Sequence, residues 1–383
     1  MRKAFIYLFV TFFVCLSYAD DRDSNLDLYI VMDKSLSMEE EIDQVKEYIE
    51  SFLIDKLLIP GDKLYLVPFY GEAYPLFDGQ EVTSNNYNVI KNKITAIKAN
   101  GQYTDIGNAL DKLNTIVDKS STNRKYFLLL TDGKQEAPPE SQYYSPDGTY
   151  NHPFLDNIRI IRDQGWKVIV LGLGSDEDAK ELAEQLSAGY SSFADATKTD
   201  PSDFVGIFQL KDSPELKIYK DKAHLILSIE GEGMDSPKSI NIDKIIAEDE
   251  NNNTFTILES YETALLDPNK MIDLDIDIDV SKVAGKFNAN NNYSLRLSFL
   301  GQQQIVPSVY PLVVTNIASD TKSTISESEK STQSSESRNN LALFIILGLL
   351  LVIIIVFIIL VIKNRVPSDD EKKRKKVIDG DTE

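Results

Sequence analysis

Between residues 25 and 210, four short apolar runs alternate with amphipathic stretches of helical period. The runs, Leu26–Met32, Lys63–Phe69, Lys125–Leu130 and Trp166–Leu171, have the length and apolar content of buried strands. Between and after them, residues near Glu40–Leu58, Ile106–Val117, Phe154–Arg162 and Asp178–Leu186 repeat their apolar positions as helices do. Strands of one direction need crossovers, and helices provide them, so this rhythm predicts a doubly wound α/β domain: a mostly parallel central sheet with helices on both faces.

Residues 214–315 follow a different pattern. Short alternating runs (His224–Ile229, Thr254–Leu258, Met271–Val280, Tyr293–Phe299, Val309–Val314) are separated by Gly, Asn, Asp and Pro, with no helical stretch. An all-β sandwich is expected there. From 316 to 340 the chain is Ser, Thr, Glu, Lys and Gln with few large apolar residues; it cannot offset its ordering entropy by burial, and reads as a flexible stalk.

Two apolar segments bracket these parts. Arg2 and Lys3 precede an apolar run ending in Ser17-Tyr18-Ala19, the pattern of a secretory leader over 1–19. Leu341–Ile362 is an uncharged stretch of 22 residues, long enough for one transmembrane helix. Lys363, Arg365 and the cluster Lys372–Lys376 follow it, which predicts a cytoplasmic tail at 363–383 and an extracytoplasmic ectodomain. The sole cysteine, Cys15, leaves with the leader. An ectodomain without disulfides points to a bacterial source, at the cell surface or in the periplasm. With 60 acidic against 40 basic side chains and a net charge of −20, the chain is a poor nucleic-acid binder.

Ligands of open parallel sheets bind at the carboxyl ends of the strands. The first run passes directly into Asp33-Lys34-Ser35-Leu36-Ser37, a carboxylate and two hydroxyls at i, i+2 and i+4. The third ends in Thr131-Asp132-Gly133, and Thr104 stands just ahead of the helix that opens at Ile106. Asp33, Ser35, Ser37, Thr104 and Asp132 make an all-oxygen set suited to Mg²⁺, or Mn²⁺, rather than to a softer metal. Helix capping by Asp33 and Ser35 is the plainer alternative, but it leaves Thr104 and Asp132 without a role.

Asp-x-Ser-x-Ser after the first strand, Thr-Asp-Ile-Gly opening a helix and Thr-Asp-Gly after a later strand resemble, in order and spacing, the von Willebrand factor type A domain. The resemblance covers about 25–210. It implies a metal-ion-dependent adhesion site in which Ser35 and Ser37 bind the ion directly, Thr104 directly or through water, and Asp33 and Asp132 largely through water. One coordination position is then left for an acidic side chain of a partner protein. Leu36 departs from the glycine common at its place in the family, which puts the shape of the loop in doubt. The long connection 134–153 leaves Asp132 directly, so Tyr143, Tyr144, Tyr150 and His152, with Tyr103 beside Thr104, are expected to form the partner-binding rim.

Other signals are weaker. Gly172-Leu173-Gly174 is followed by acidic residues where a dinucleotide loop needs glycine, so no nucleotide is expected. Asp273, Asp275, Asp277 and Asp279 lack the glycine and terminal glutamate of a calcium loop and read as the wet face of a strand. With His152 and His224 the only histidines, nothing forms a nucleophile pair, and no enzymatic activity is expected. The expected function is adhesive binding of a partner protein by a single-pass membrane protein. A structural or assembly subunit of a cell-envelope complex is the alternative.

Overall fold

The structure, a computed structural model, describes residue 22 and residues 24–174, 176–232 and 237–317. The expected leader at 1–19, the stalk beyond 317, the apolar span 341–362 and the tail 363–383 lie outside the described residues. Among the described residues no helix is long and apolar enough to cross a membrane.

The first strand, β1 (Leu26–Asp33), is buried along its whole length. Leu28, Ile30 and Met32 enter one core and Tyr29 and Val31 another, the period-two alternation of a strand covered on both faces. A short 3₁₀ turn (Leu36–Met38) and α1 (Ile42–Tyr48) follow, and the chain continues as a π-helical segment over Ile49–Leu57. The long helix expected over Glu40–Leu58 is therefore divided, with Phe52, Leu53 and Ile54 all buried in succession. Next come β2 (Lys63–Phe69), β3 (Phe77–Glu81), α2 (Tyr87–Thr95), α3 (Ile106–Ile116), β4 (Arg124–Thr131) and α4 (His152–Arg162). The α/β part closes with β5 (Lys167–Gly172), α5 (Asp176–Leu186), β6 (Gly189–Ser192), α6 (Phe193–Ala196) and α7 (Pro201–Val205).

These strands lie in the order β3-β2-β1-β4-β5-β6, all parallel except the β2–β3 pair. Residues of α1, the π segment, α2 and α7 cover one face, and residues of α3, α4 and α5 the other. From β1 the chain winds toward β3, and from β4 toward β6. The winding reverses between β1 and β4, and at such a point a crevice opens at the carboxyl ends of the two strands. Asp33 ends β1, and Asp132 directly follows β4.

The rest of the chain is mainly strand: β7 (Ile207–Leu210), β8 (Glu215–Ile218), β9 (Ala223–Glu232), β10 (Asn241–Asp249), β11 (Thr254–Glu262), β12 (Ile272–Ile278), the single turn α8 (Val280–Val283), β13 (Tyr293–Leu300) and β14 (Val309–Asn316). β9 pairs antiparallel with β7, β8 and β12, and β10 with β11 and β13, around a third hydrophobic core. On β12, Leu274, Ile276 and Ile278 are buried while Asp273, Asp275 and Asp277 stay in water. β13 also pairs parallel with β6 through Phe299↔Gly189 and Leu300↔Tyr190, so the hydrogen-bonded ladder runs on from the α/β part into the β part.

Candidate metal centre

β1 delivers Asp33 into the crevice, where its side chain is fully buried. Both carboxylate oxygens are engaged: Oδ1 accepts from the Ser35 amide at 2.8 Å and Oδ2 from the Thr131 hydroxyl at 3.0 Å. The first of these bonds folds the loop back, so that the Ser35 and Ser37 hydroxyls stand 2.8 Å apart. Backbone bonds from Lys34 N to Phe69 O (2.8 Å) and from Leu36 N to Gly101 O (2.9 Å) tie the same loop to β2 and to the turn before α3. Burial pushes the Asp33 carboxyl up to about 7; the Ser35 amide opposes that shift and the charge of Asp132 adds to it.

Thr104 is held from the backbone. Its amide and carbonyl exchange two bonds of 2.8 Å with Glu136, and the next amide, Asp105 N, donates to Tyr70 O at 3.0 Å. Asp105 caps α3: its Oδ1 accepts from Asn108 N at 3.0 Å and from Gln135 Nε2 at 3.1 Å. Gln135 Oε1 in turn accepts from Ile106 N at 2.7 Å. Buried Gln135 thus fastens the segment after Asp132 to the helix start beside Thr104. Sequence reasoning missed this residue; its one signal was its place two residues after Gly133.

Asp132 leaves the sheet through a turn that only glycine can close. Gly133 has φ +92°, and a Cβ there would lie 2.1 Å from the Ala179 amide nitrogen. Ser37 and Asp132 line one cavity of about 230 Å³ with Glu41, Lys134, Gly174 and Asp178. Among the described residues no group of three or more His, Cys, Asp or Glu could hold a metal, so any ion here depends on hydroxyls. The residues fit a small hard cation: two ligands at right angles on a Mg²⁺ shell of ~2.1 Å are ~3 Å apart, close to the Ser35–Ser37 spacing. A larger cavity, about 380 Å³, lies at the opposite end of the sheet near Lys125, Trp166 and Pro307. Lys125 and Lys167 there already donate to backbone carbonyls, so the hydroxyl–carboxylate crevice is the better candidate.

The expected rim residues divide into two groups. Tyr103, Tyr144 and His152 are exposed. Tyr143 is turned inward: its ring occupies the space over Gly107, its hydroxyl donates to Asp111 at 2.7 Å, and it accepts from Asn157 Nδ2 at 3.0 Å. Tyr150 is half-buried and stacks on Phe154 at 4.8 Å. These two rings anchor the 134–153 connection to α3 and α4 instead of offering a free surface.

An uncharacterised protein of Treponema pallidum is 27% identical over 201 residues, which are 50% of this chain and 90% of that protein. Among solved structures, BatB of Bacteroides thetaiotaomicron is similar at 19% identity and a TM-score of 0.36, over 45% of this chain and 94% of that one. A von Willebrand factor type A protein of Catenulispora acidiphila is similar at 17% identity and a TM-score of 0.40, over 76% of this chain and 67% of that one. The family model for the von Willebrand factor type A domain matches residues 27–209. That matched stretch spans the parallel sheet, the helices on its two faces and the crevice holding Asp33 and Asp132.

Proposed function

We propose that this domain is a binding module, not an enzyme, which takes up a divalent cation, Mg²⁺ or Mn²⁺, and through it an acidic side chain of another protein. Ser35, Ser37 and Thr104, with Asp33 and Asp132, would hold the ion. The observation that carries this reading is the Asp33–Ser35–Ser37 network at the switch point of the sheet, with Ser37 and Asp132 lining one cavity. The bound cation would supply a positive centre held directly by neutral hydroxyls, with the two carboxylates acting largely through water, and so an attraction for a carboxylate of the partner.

The chain's own residues do the positioning. Thr131 holds the far oxygen of Asp33, Asp33 orients the Ser35 amide, and the Thr104–Glu136 pair fixes the backbone at Thr104. The leader pattern and the apolar segment at 341–362 support display of the domain outside the membrane on one span. The test is calorimetric titration of the full chain with Mg²⁺ and Mn²⁺, then a pull-down from detergent extract with and without EDTA. Asp132→Ala and EDTA are each expected to abolish ion uptake and partner capture while the melting of the fold persists. Equal capture without metal would refute the reading.

A further inference from the structure

Where α4 and α5 meet the β10–β13 ladder, three arginines, Arg159, Arg162 and Arg296, line a cavity of about 140 Å³ with a single carboxylate, Glu248. Strand register brings two of them together. Glu248 lies opposite Ser294 and Arg296 opposite Ile246, so Glu248 and Arg296 are diagonal neighbours on one face of the β10–β13 pair. Arg162 arrives from the last turn of α4. The side chains of Arg162, Arg296 and Glu248 are only 6%, 6% and 8% exposed.

Charge at this seam does not balance. Both guanidinium groups bond to the same oxygen, Glu248 Oε2, at 3.4 Å from Arg162 and 3.0 Å from Arg296. Two buried cations thus share one buried anion, and an uncompensated buried charge is costly. The Glu184 and Gln185 carbonyls at the end of α5, which accept from Arg296, supply at most about half a negative charge. Asp163 accepts from Arg162 Nε at 2.9 Å, but it is 54% exposed, and water screens such a pair. Burial and the charge of Arg162 accordingly lower the pKa of Arg296. The cavity is also rich in donors. Arg162 has more N–H groups than these bonds use, and Arg159 is paired only with Asp156, at 3.2 Å on the surface. The side chains of Gln185, Asn252 and Thr254, which complete the polar lining, make no hydrogen bond among the described residues.

We propose that this cavity binds a small tetrahedral oxyanion, a free phosphate or the phosphate end of a monoester, with Arg162 and Arg159 donating to it and Arg296 adding its charge. Guanidinium forks match phosphate oxygens, and the neutral donors serve the oxygens that the forks leave. The volume is well below the roughly 300–1,000 Å³ of pockets that hold larger ligands, so the occupant is an ion or a single phosphoryl group. Its binding would complete the charge where the α/β and β parts join, and so stabilise the native chain.

EDTA keeps the metal centre out of the measurement. The full chain, in a detergent without phosphate, is titrated with inorganic phosphate and with glycerol 3-phosphate and read by ³¹P line broadening, with sulfate and acetate as competitors. Binding of either phosphate is expected, with sulfate competing about tenfold more strongly than acetate; the tighter of the two phosphates identifies the source. Arg162→Gln, which keeps the shorter Arg296–Glu248 bond, is expected to weaken binding about tenfold or more, and the milder Arg159→Gln several-fold. Melting gives a second readout. Phosphate stabilises folded chains in general, so the quantity compared is the gain in Tm over chloride at equal ionic strength, which should be roughly 2 °C larger for wild type than for Arg159→Gln. No broadening at millimolar phosphate, equal affinities in wild type and both variants, or acetate competing as strongly as sulfate would each overturn the site.

Discussion

Individual residues here are constrained by burial and by the space beside them. Gly133 is the sharpest case: Gly133→Ala must bring a methyl onto the Ala179 amide from a left-handed backbone, and is expected to cost more than about 2 kcal/mol in chemical denaturation. Lys167 is fully buried, and its ammonium donates to the carbonyls of Asp203, Phe204 and Gly206 at 2.8, 2.6 and 2.9 Å. Burial pushes its pKa down to about 7, against ~10.4 in an unfolded chain. Across that window the unfolded state holds the extra proton, so the contribution of Lys167 to stability rises as pH rises. Lys167→Met strands three carbonyls and is expected to destabilise by about 2–4 kcal/mol. The gap between wild type and variant should widen from pH 7 to about pH 9; a gap that narrows would contradict the assigned shift. The Asp33, Ser35 and Ser37 spacing was legible in the sequence because neighbours along an extended loop converge by local geometry. The inward turn of Tyr143 was not, since its partners Asp111 and Asn157 lie 32 and 14 residues away.

At the scale of elements, the strands and helices that line the site were legible wherever an apolar run or a helical repeat reached both ends. β2 (Lys63–Phe69) has the expected bounds, and α3 (Ile106–Ile116) differs from them by one residue. β6 (Gly189–Ser192) reads Gly-Tyr-Ser-Ser and has no such run; pairing with β5 on one side and β13 on the other makes it a strand. β10 was hidden likewise, because Asn241–Asp249 mixes charges into its ends and one of its two partners, β13, is distant in sequence. Gln135 joins two elements: it bridges the segment after β4 to the first amide of α3 and to the capping carboxylate of Asp105. Gln135→Ala is expected to cost about 1–3 kcal/mol. It should also weaken Mg²⁺ uptake, because Thr104 sits on the turn that Gln135 holds. Calorimetry of the variant checks both, and unchanged ion affinity would show that α3 keeps its place without the glutamine.

For the whole molecule, the decisive feature is that the α/β and β parts are built into one another. Arg296 of β13 donates to the Glu184 and Gln185 carbonyls at the end of α5 (3.1 and 3.3 Å), and with Arg162 it surrounds the buried Glu248 carboxylate. Gln304 Nε2 donates to Val168 O in β5 at 2.6 Å. Arg296→Ala leaves Glu248 buried beside one arginine and is expected to cost about 3–5 kcal/mol. Fluorescence of the single tryptophan, Trp166 in the α/β part, and circular dichroism of the β strands should then report one shared unfolding transition. Two separate transitions would show that the parts fold independently. By itself the sequence determined the parallel-sheet architecture, the place of the crevice and the hydroxyl and carboxylate side chains at its mouth, because periodicity and short-range spacing are properties of neighbouring residues. Tertiary structure alone decided which tyrosines face solvent, that Gln135 locks the Thr104 turn, and that β13 extends the central sheet, because each rests on contacts whose partners no local pattern announces.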